Sequence, residues 1–215
     1  MKNIITVTLL TLLFVISSIS IFEASAGWLV YSKPEFRGRI VDSETKEPIE
    51  GAVIVAMYRS RPIVSGPGGG SSSIIHVKEA LTDMKGEFAI PPYKTVIQPN
   101  SYEDRTDFII FKPGYGSYPH RTPQNRIYPL DYCGPEILFS KEIGTKGEIR
   151  RGSEVISITY GIAKLPRLNT REERLRGIPS TNPGELPPED IPLLYKTINE
   201  ERKRFGLGPI GREGK

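Results

Sequence analysis

The feature of this sequence that most constrains its fold is a series of short apolar runs separated by turn-forming residues. The runs are rich in β-branched and aromatic residues, and glycine, proline or acidic residues stand between them. They occupy 36–42, 51–58, 74–83, 87–92, 107–116, 136–140 and 154–163. Short strands with turn signals at such intervals are typical of an all-β sandwich. The run at 51–58 is apolar nearly throughout, which indicates a strand covered on both faces.

Two helices are predicted after Ala163. Thr170 and Glu173 have the spacing of a capping box, which predicts a short helix that stops at Gly177. A Pro-rich connector follows, and the pattern over 192–205 predicts a second helix.

The second predicted helix has only a narrow apolar stripe, formed by Leu194, Ile198 and Phe205. A helix of this length is marginal alone in water, so we expect the stripe to be buried on the parent domain or on another protein. The mature chain is thus divided into a β-sandwich domain over 27–163 and a helical, Pro-rich extension over 164–215. Because every predicted strand precedes the extension, a chain that lacks it is expected to fold.

Residues 1–26 have the features of a secretory signal peptide. A single basic residue precedes an apolar run over 4–22, and Ala24 and Ala26 form a small-x-small cleavage signal that leaves Gly27 as the first mature residue. The alternative is an uncleaved membrane anchor, because the run is close to bilayer length. We expect an exported protein, periplasmic or extracellular at the cell surface, with no membrane span after cleavage.

The charge pattern argues against nucleic acid as a partner. The formal net charge is +4, and the basic residues of the last third alternate with glutamates, as in TREERLR and NEERKR. Such alternation is typical of a solvated helix face rather than of a stripe that follows phosphates. Cys133 is the only cysteine, so it has no intramolecular disulfide partner and is expected to be a small buried residue.

The glycine-rich stretch at 66–73, GPGGGSSS, has the composition of a phosphate-binding loop. A nucleotide-binding loop also needs a following lysine, a hydroxyl for magnesium and a helix behind it. No lysine directly follows these glycines, and the next residues, IIHVKEALT, predict a strand. We therefore interpret the stretch as a connecting loop.

Metal binding is the other chemistry that the sequence raises. His76 and Glu79 have H-x-x-E spacing, with His120 as a further ligand, but residues three apart on a strand point to opposite faces. An acidic cluster lies near one loop and is expected to be solvated, with weak calcium binding as the alternative; it comprises Glu103, Asp104 and Asp107. No catalytic residue, cofactor or metal ion is therefore predicted.

Three motifs occur in order between Gly38 and Gly116: GRIVDSETKEPIEGAVIVA, EALTDMKGEFAIP and FIIFKPGYG. Together they resemble a carboxypeptidase regulatory-like domain, a sandwich found beside metallocarboxypeptidase domains and in many bacterial envelope proteins. The resemblance implies a mainly β, transthyretin-like (prealbumin-like) antiparallel sandwich, here with a short helical C-terminal extension. It does not cover the chain after Tyr118.

Four residues of these motifs are predicted to shape turns. Gly51 permits an unusual backbone angle just before a buried strand, and Gly114 ends a later strand. In TDMKGEF, Asp83 can accept backbone N–H bonds inside the turn, while Gly86 can adopt positive φ where the hairpin reverses. We expect these four residues to shape the fold and to take no part in a reaction.

The expected function is that of an exported module, not an enzyme, which works in adhesion, scaffolding or assembly in the cell envelope. The alternative is a carbohydrate-binding module that acts on envelope or extracellular glycans. For that alternative, the aromatic residues that would stack on sugar rings are Trp28, Tyr115 and Tyr118. The partner is expected to be an envelope protein or a glycan.

Overall fold

The computed structural model describes four ranges of the chain: 30–63, 71–119, 129–182 and 184–211. The predicted signal peptide and its cleavage residues Ala24, Ala26 and Gly27 lie outside the described residues, as do Trp28 and His120. Most of the glycine-rich stretch, up to residue 70, lies outside them too. No helix within the described ranges is both long and apolar enough to cross a membrane.

The described ranges contain ten strands and three helices. In chain order the strands are β1 Val30–Lys33, β2 Phe36–Asp42, β3 Val53–Pro62, β4 Ser73–Leu81, β5 Glu87–Ile90, β6 Tyr93–Val96, β7 Ser101–Phe111, β8 Lys146–Arg151, β9 Glu154–Thr159 and β10 Ile162–Leu165. The helices are α1 Leu130–Phe139, α2 Arg171–Arg176 and α3 Pro192–Arg204. The prediction of a mainly β protein is confirmed.

Two three-stranded sheets form the body. In the first, the β3 sheet, β3 lies between β4 and β7, and both pairings are antiparallel. In the second, the β2 sheet, β2 pairs antiparallel with β5 and parallel with β10. β1 with β6 and β8 with β9 form two further antiparallel pairs, and the latter is called the β8–β9 ribbon below.

The main core lies between the β2 and β3 sheets. Ile40 and Phe88 belong to the β2 sheet, Ile54 and Ile110 belong to the β3 sheet, and all four lie in one buried cluster. Successive side chains of a strand point to opposite faces, so each sheet also has an outer face that turns away from this core.

The outer face of the β3 sheet is apolar and is covered by the C-terminal extension. Val53, Val55 and Met57 alternate with the residues that face the main core, and they pack in a second buried cluster with Leu194 and Ile198 of α3. This arrangement explains why β3 is apolar nearly throughout, as its sequence predicts. The extension is therefore docked on its own domain.

Two polar contacts fix the extension in place. The Glu79 carboxylate on β4 accepts hydrogen bonds from the N–H groups of Leu193 (2.9 Å) and Leu194 (2.8 Å), in the first turn of α3. The guanidinium of Arg174 donates to both carboxylate oxygens of Glu201 at 2.8 and 2.9 Å. Glu201 is only 1% exposed, so this pair joins α2 to α3 inside the protein.

The extension is consequently part of the folded body rather than an appendage. β10 runs to Leu165, two residues past the expected boundary at 163, and Leu165 is fully buried. A chain that ends near Ala163 would be cut inside β10 and would lose the cover over the β3 sheet. Contrary to the expectation from the sequence, such a chain should therefore not fold on its own.

The helical predictions for the extension are confirmed, and one strand prediction is wrong. The Thr170–Glu173 capping box is present at the start of α2, and α3 covers most of 192–205. The run at 136–140 lies in helix α1 and not in a strand. The run at 154–163 is divided into β9 and β10, with Gly161 at φ 73° in the turn between them.

Candidate binding surfaces

The four predicted turn residues lie at the ends of strands. Gly51, Gly86 and Gly114 have φ of 67°, 71° and 83°. The Asp83 carboxylate accepts hydrogen bonds from the N–H groups of Lys85 (2.9 Å) and Glu87 (2.8 Å), inside the β4–β5 hairpin. A Cβ on Gly86 would lie 2.4 Å from the carbonyl oxygen of Ile40, so the hairpin needs glycine for space as well as for φ.

The two described tyrosines of the glycan hypothesis are each engaged within the protein. The guanidinium of Arg167 lies 5.6 Å from the centre of the Tyr115 ring and also donates to the Tyr115 hydroxyl at 3.1 Å. Tyr118 packs against the main core, and burial raises the pKa of its hydroxyl. Its backbone forms a bridge with Ile110 on β7.

His76 and Glu79 point to opposite sides of β4, as their spacing predicts. The His76 ring stacks on Tyr93 with ring centres 4.4 Å apart, and burial, helped by Lys78, lowers the pKa of the imidazole. Glu79 faces the extension, where burial raises the pKa of its carboxyl. Among the described residues, no group of three or more His, Cys, Asp or Glu side chains could hold a metal ion.

The predicted acidic cluster is neutralised by ion pairs. The pairs are Glu103 with Lys33 at 3.0 Å, Asp104 with Arg61 at 3.2 Å, and Asp107 with Arg59 at 2.7 Å and with Arg105 at 2.8 Å. The three carboxylates are therefore paired with cations along the first part of β7 and do not form an open acidic patch.

A buried lysine between two carboxylates joins β1 to the β3 sheet. Lys33 is 5% exposed, and its Nζ lies 2.6 Å from Glu136 and 3.0 Å from Glu103. The same carboxylates accept hydrogen bonds from the N–H groups of Ser32 (3.3 Å) and Thr106 (2.6 Å). Side chains thus supply acceptors for strand N–H groups at this seam. No spacing in the sequence predicts this cluster, and its local signal is a lysine that ends a short strand.

Cys133 is half-buried in α1. Its Sγ lies 3.7 Å from the carbonyl oxygen of Pro129, and burial raises the pKa of the thiol. A thiol with a raised pKa is a poor nucleophile near neutral pH.

One cavity, called the uncharged cavity below, lies at the end of the β3 sheet beside β6. Its volume is about 320 Å³, and its lining includes Ser60, Thr95, Gln98, Asn100 and Ser101 beside Tyr93 and Val96. None of the described residues that line it carries a charge. The groups that it presents are hydroxyls and carboxamides next to apolar side chains.

A second cavity, called the basic groove below, lies between the outer face of the β2 sheet and the β8–β9 ribbon. Its volume is about 460 Å³. It is lined by Arg39, Lys46 and Lys164, by the hydroxyl residues Ser157 and Thr159, and by Val41, Pro129 and Ile162. Of the eight lining residues that the structure describes, three are cations and none is acidic.

A third cavity of about 570 Å³ separates the β3 sheet from the extension. Arg59 lies on its wall, 2.7 Å from Asp107 and 2.7 Å from Glu185. The positive charge of this arginine is therefore compensated by two acids of the protein itself.

Comparison with known proteins gives little guidance. No protein-family model and no curated protein matches the chain. A solved structure that matches is 3-chlorocatechol 1,2-dioxygenase from Rhodococcus opacus 1CP, with 16% identity and a TM-score of 0.28. The match covers 66% of this chain and spans about 61% of the length of the dioxygenase chain.

This match corrects the expectation that the chain is not an enzyme, because the protein in the matching structure is one. At a TM-score of 0.28 the likeness shows no activity for this chain, and we assign it none.

Proposed function

We propose that this chain is an exported binding module that works in adhesion, scaffolding or assembly in the cell envelope. We further propose that its sandwich is transthyretin-like and of the carboxypeptidase regulatory-like kind. Support for the family comes from where the ordered motifs lie. The first runs from β2 through the turn at Gly51 into β3, the second covers the β4–β5 hairpin, and the third covers the end of β7 and the turn at Gly114.

The observation that carries the functional proposal is the unequal cover of the two outer faces. The outer face of the β3 sheet is sealed by α3 and its connector. On the β2 sheet, Arg37 and Ala89 are opposite each other on the outer face, and both are exposed. A rigid sheet face that a domain leaves open is a suitable place for recognition, because it loses little conformational freedom on binding.

The proposal is tested by capture from an envelope extract with the whole mature protein as bait. Ala89→Arg places a bulky cation on the open face, whereas the control Lys196→Glu changes a charge on α3. We expect wild type and the control to retain the same partner and Ala89→Arg to lose it. If no partner is retained, or if all three baits retain the same set equally, the open face is not a recognition surface.

A second candidate function, carbohydrate binding, is favoured by the uncharged cavity. Hydroxyl and carboxamide groups such as those of Thr95, Gln98 and Asn100 can donate to and accept from sugar hydroxyls. Its volume of about 320 Å³ lies within the range of small-molecule sites. In a glycan array, Gln98→Ala with Asn100→Ala should abolish a signal that the control Lys94→Ala, on exposed β6 surface, retains.

A further inference from the structure

We infer that the uncharged cavity binds a neutral sugar unit and discriminates against acidic sugars. This inference rests on carbohydrate binding, the second candidate function above, and goes further because it names the class of sugar. The volume of about 320 Å³ lies near the lower end of the range of small-molecule sites, which suits a single ring.

The cavity lies where a bulge interrupts the β3 sheet. The register of β3 with β4 shifts between Tyr58 and Arg59, and Ile75 has no partner residue in the described ladder. A bulge bends its strand and changes the direction of the extra side chain. Ile75 lines the cavity, and so do Ser60 and Ser73, which oppose each other just beyond the bulge. The cavity is therefore built into the sheet.

A hydrogen-bonded turn carries the two carboxamides of the cavity. The carbonyl oxygen of Gln98 accepts hydrogen bonds from the N–H (3.0 Å) and the hydroxyl (2.8 Å) of Ser101. The carbonyl oxygen of Asn100 accepts from the N–H of Ile63 at 2.7 Å. Within the described ranges these bonds use backbone atoms of Gln98 and Asn100, and none engages either carboxamide. Each carboxamide can therefore donate to one sugar hydroxyl and accept from another, and the ordered turn lowers the entropic cost of binding.

Aliphatic side chains supply the apolar part of the lining. Val96 is 74% exposed and lines the cavity together with Ile75. The Tyr93 ring already contacts His76 and Tyr58, with ring centres 4.4 and 4.8 Å apart, so the apolar contact falls to the two aliphatic residues. A sugar ring carries hydroxyls at its edge and C–H groups on its faces. It therefore suits a lining of amides and hydroxyls beside aliphatic groups, whereas a wholly apolar ligand would leave the amides without partners.

The two arginines next to the lining on β3 do not serve the cavity. Arg59 and Arg61 flank Ser60, and because successive side chains alternate, both point to the face opposite to that of Ser60. They also form ion pairs, Arg59 with Asp107 at 2.7 Å and Arg61 with Asp104 at 3.2 Å. Neither guanidinium is therefore available to a carboxylate in the cavity.

The charges beside β7 favour an acidic ligand no better. Glu103 shares a strand face with Ser101 and is paired with Lys33 at 3.0 Å. Glu136 lies 2.6 Å from the same lysine, so two carboxylates share one cation. Lys94 on β6 is exposed and does not line the cavity. Among the described residues, the carboxylate of an acidic sugar in the cavity therefore meets no cation in the lining, and a charge removed from water without a partner is costly.

The test is an NMR titration of the whole mature protein with glucose, galactose and mannose, each compared with its uronate. The two members of a pair differ only at C6, which carries a hydroxyl in one and is a carboxylate in the other. We expect at least one neutral sugar to shift the amide signals of Thr95, Gln98 and Asn100 saturably. Its uronate should bind about tenfold more weakly, because the carboxylate loses water without gaining a cation.

A charge variant tests whether the cavity itself makes this distinction. Gln98→Lys places a cation in the lining at an exposed position. It should reduce the preference for the neutral sugar over its uronate by about threefold or more, because the uronate gains an ion pair. The control Ser153→Lys adds the same charge in the turn of the β8–β9 ribbon and should leave the preference unchanged.

The outcomes separate this inference from the functions proposed above. Equal affinity for the two members of a pair, or a preference for the uronate, overturns the inference while carbohydrate binding stands. Equal effects of Gln98→Lys and Ser153→Lys also overturn it, because net charge alone would then explain the preference. If no sugar binds saturably, the inference and the carbohydrate candidate both fall, and capture through the open face still decides the first proposal.

Discussion

The outer faces of the two sheets differ in whether the rest of the chain covers them. That of the β3 sheet is apolar and buried under α3, whereas that of the β2 sheet is open and carries the basic groove. The sequences of the central strands already differ in this way. VIVAMY in β3 has apolar residues at successive positions, while FRGRIVD in β2 places arginines at alternate ones. A continuous apolar run in one strand therefore indicates a cover that is supplied elsewhere in the chain.

The largest expected effect comes from removing that cover. A chain that ends at Ala163 should lose cooperative unfolding, because β10 is cut and the apolar outer face of the β3 sheet meets water. Thermal denaturation followed by circular dichroism measures this. A control chain that ends at Gly211 keeps the extension and should unfold like the full chain. A sharp transition in the shorter chain would show that the extension is dispensable.

The next effect compares one isoleucine from each face. Ile198→Ala removes a fully buried side chain beneath α3 and should lower the free energy of unfolding by about 2–5 kcal/mol. Ile162→Ala, on the partly exposed face of the β2 sheet, should cost less than about 1.5 kcal/mol, because water already reaches that side chain. Denaturant titration gives both values. Equal losses would mean that the two faces are not covered differently.

A smaller effect is expected where the two sheets are connected. Gly86 lies in the hairpin between β4 and β5, has φ of 71°, and leaves no room for a Cβ beside the Ile40 carbonyl. Gly86→Val should lower the free energy of unfolding by roughly 1–3 kcal/mol. Gly206→Ala is a milder comparison, because its φ is also 71° but nothing lies within 4 Å of the added atom. A larger loss in the free energy of unfolding for Gly206→Ala than for Gly86→Val would show that the close approach to Ile40 does not determine the cost.

The smallest effect concerns the pH dependence of the contact that fixes the cover. Burial raises the pKa of the Glu79 carboxyl in the folded protein above its unfolded value. The folded state therefore binds this proton more tightly, so the contribution of Glu79 to stability is largest below the unfolded pKa and is lost as pH rises through the folded pKa.

The matched experiment measures unfolding of wild type and Glu79→Gln as a function of pH. Relative to the variant, wild type should gain stability as pH falls from neutral to the ordinary range of a glutamate, about pH 4. A difference between the two proteins that does not vary with pH would show that the folded and unfolded pKa values are equal.

Local patterns made much of the fold predictable. The continuous apolar residues of β3 and the capping box at Thr170 each depend on residues close in sequence, and both are present as expected. The strand predicted at 136–140 failed because five residues are too few to separate strand from helix periodicity. In the structure, Leu138 and Phe139 are successive buried residues at the end of α1.

The candidate sites could not be predicted in the same way. The basic groove takes its cations from β2, the following turn and β10, and no local spacing marks Arg39, Lys46 and Lys164 as neighbours. The cluster around Lys33 likewise joins residues 70 and 103 positions apart along the chain, so only the folded arrangement brings them together.

The cluster around Lys33 also affects the alignment of β1 with β6. Within the described ranges, β1 has four residues and forms a ladder with β6 alone, and so short a ladder discriminates weakly between neighbouring alignments. A shift by one residue would turn Lys33 to the opposite face and bring Ser32 or Pro34 to its place. Lys33, which is 5% exposed, would then lose both of its carboxylate partners, and a buried charge without a partner is costly. The two ion pairs of Lys33 therefore favour the observed alignment of β1 with β6 over the shifted ones.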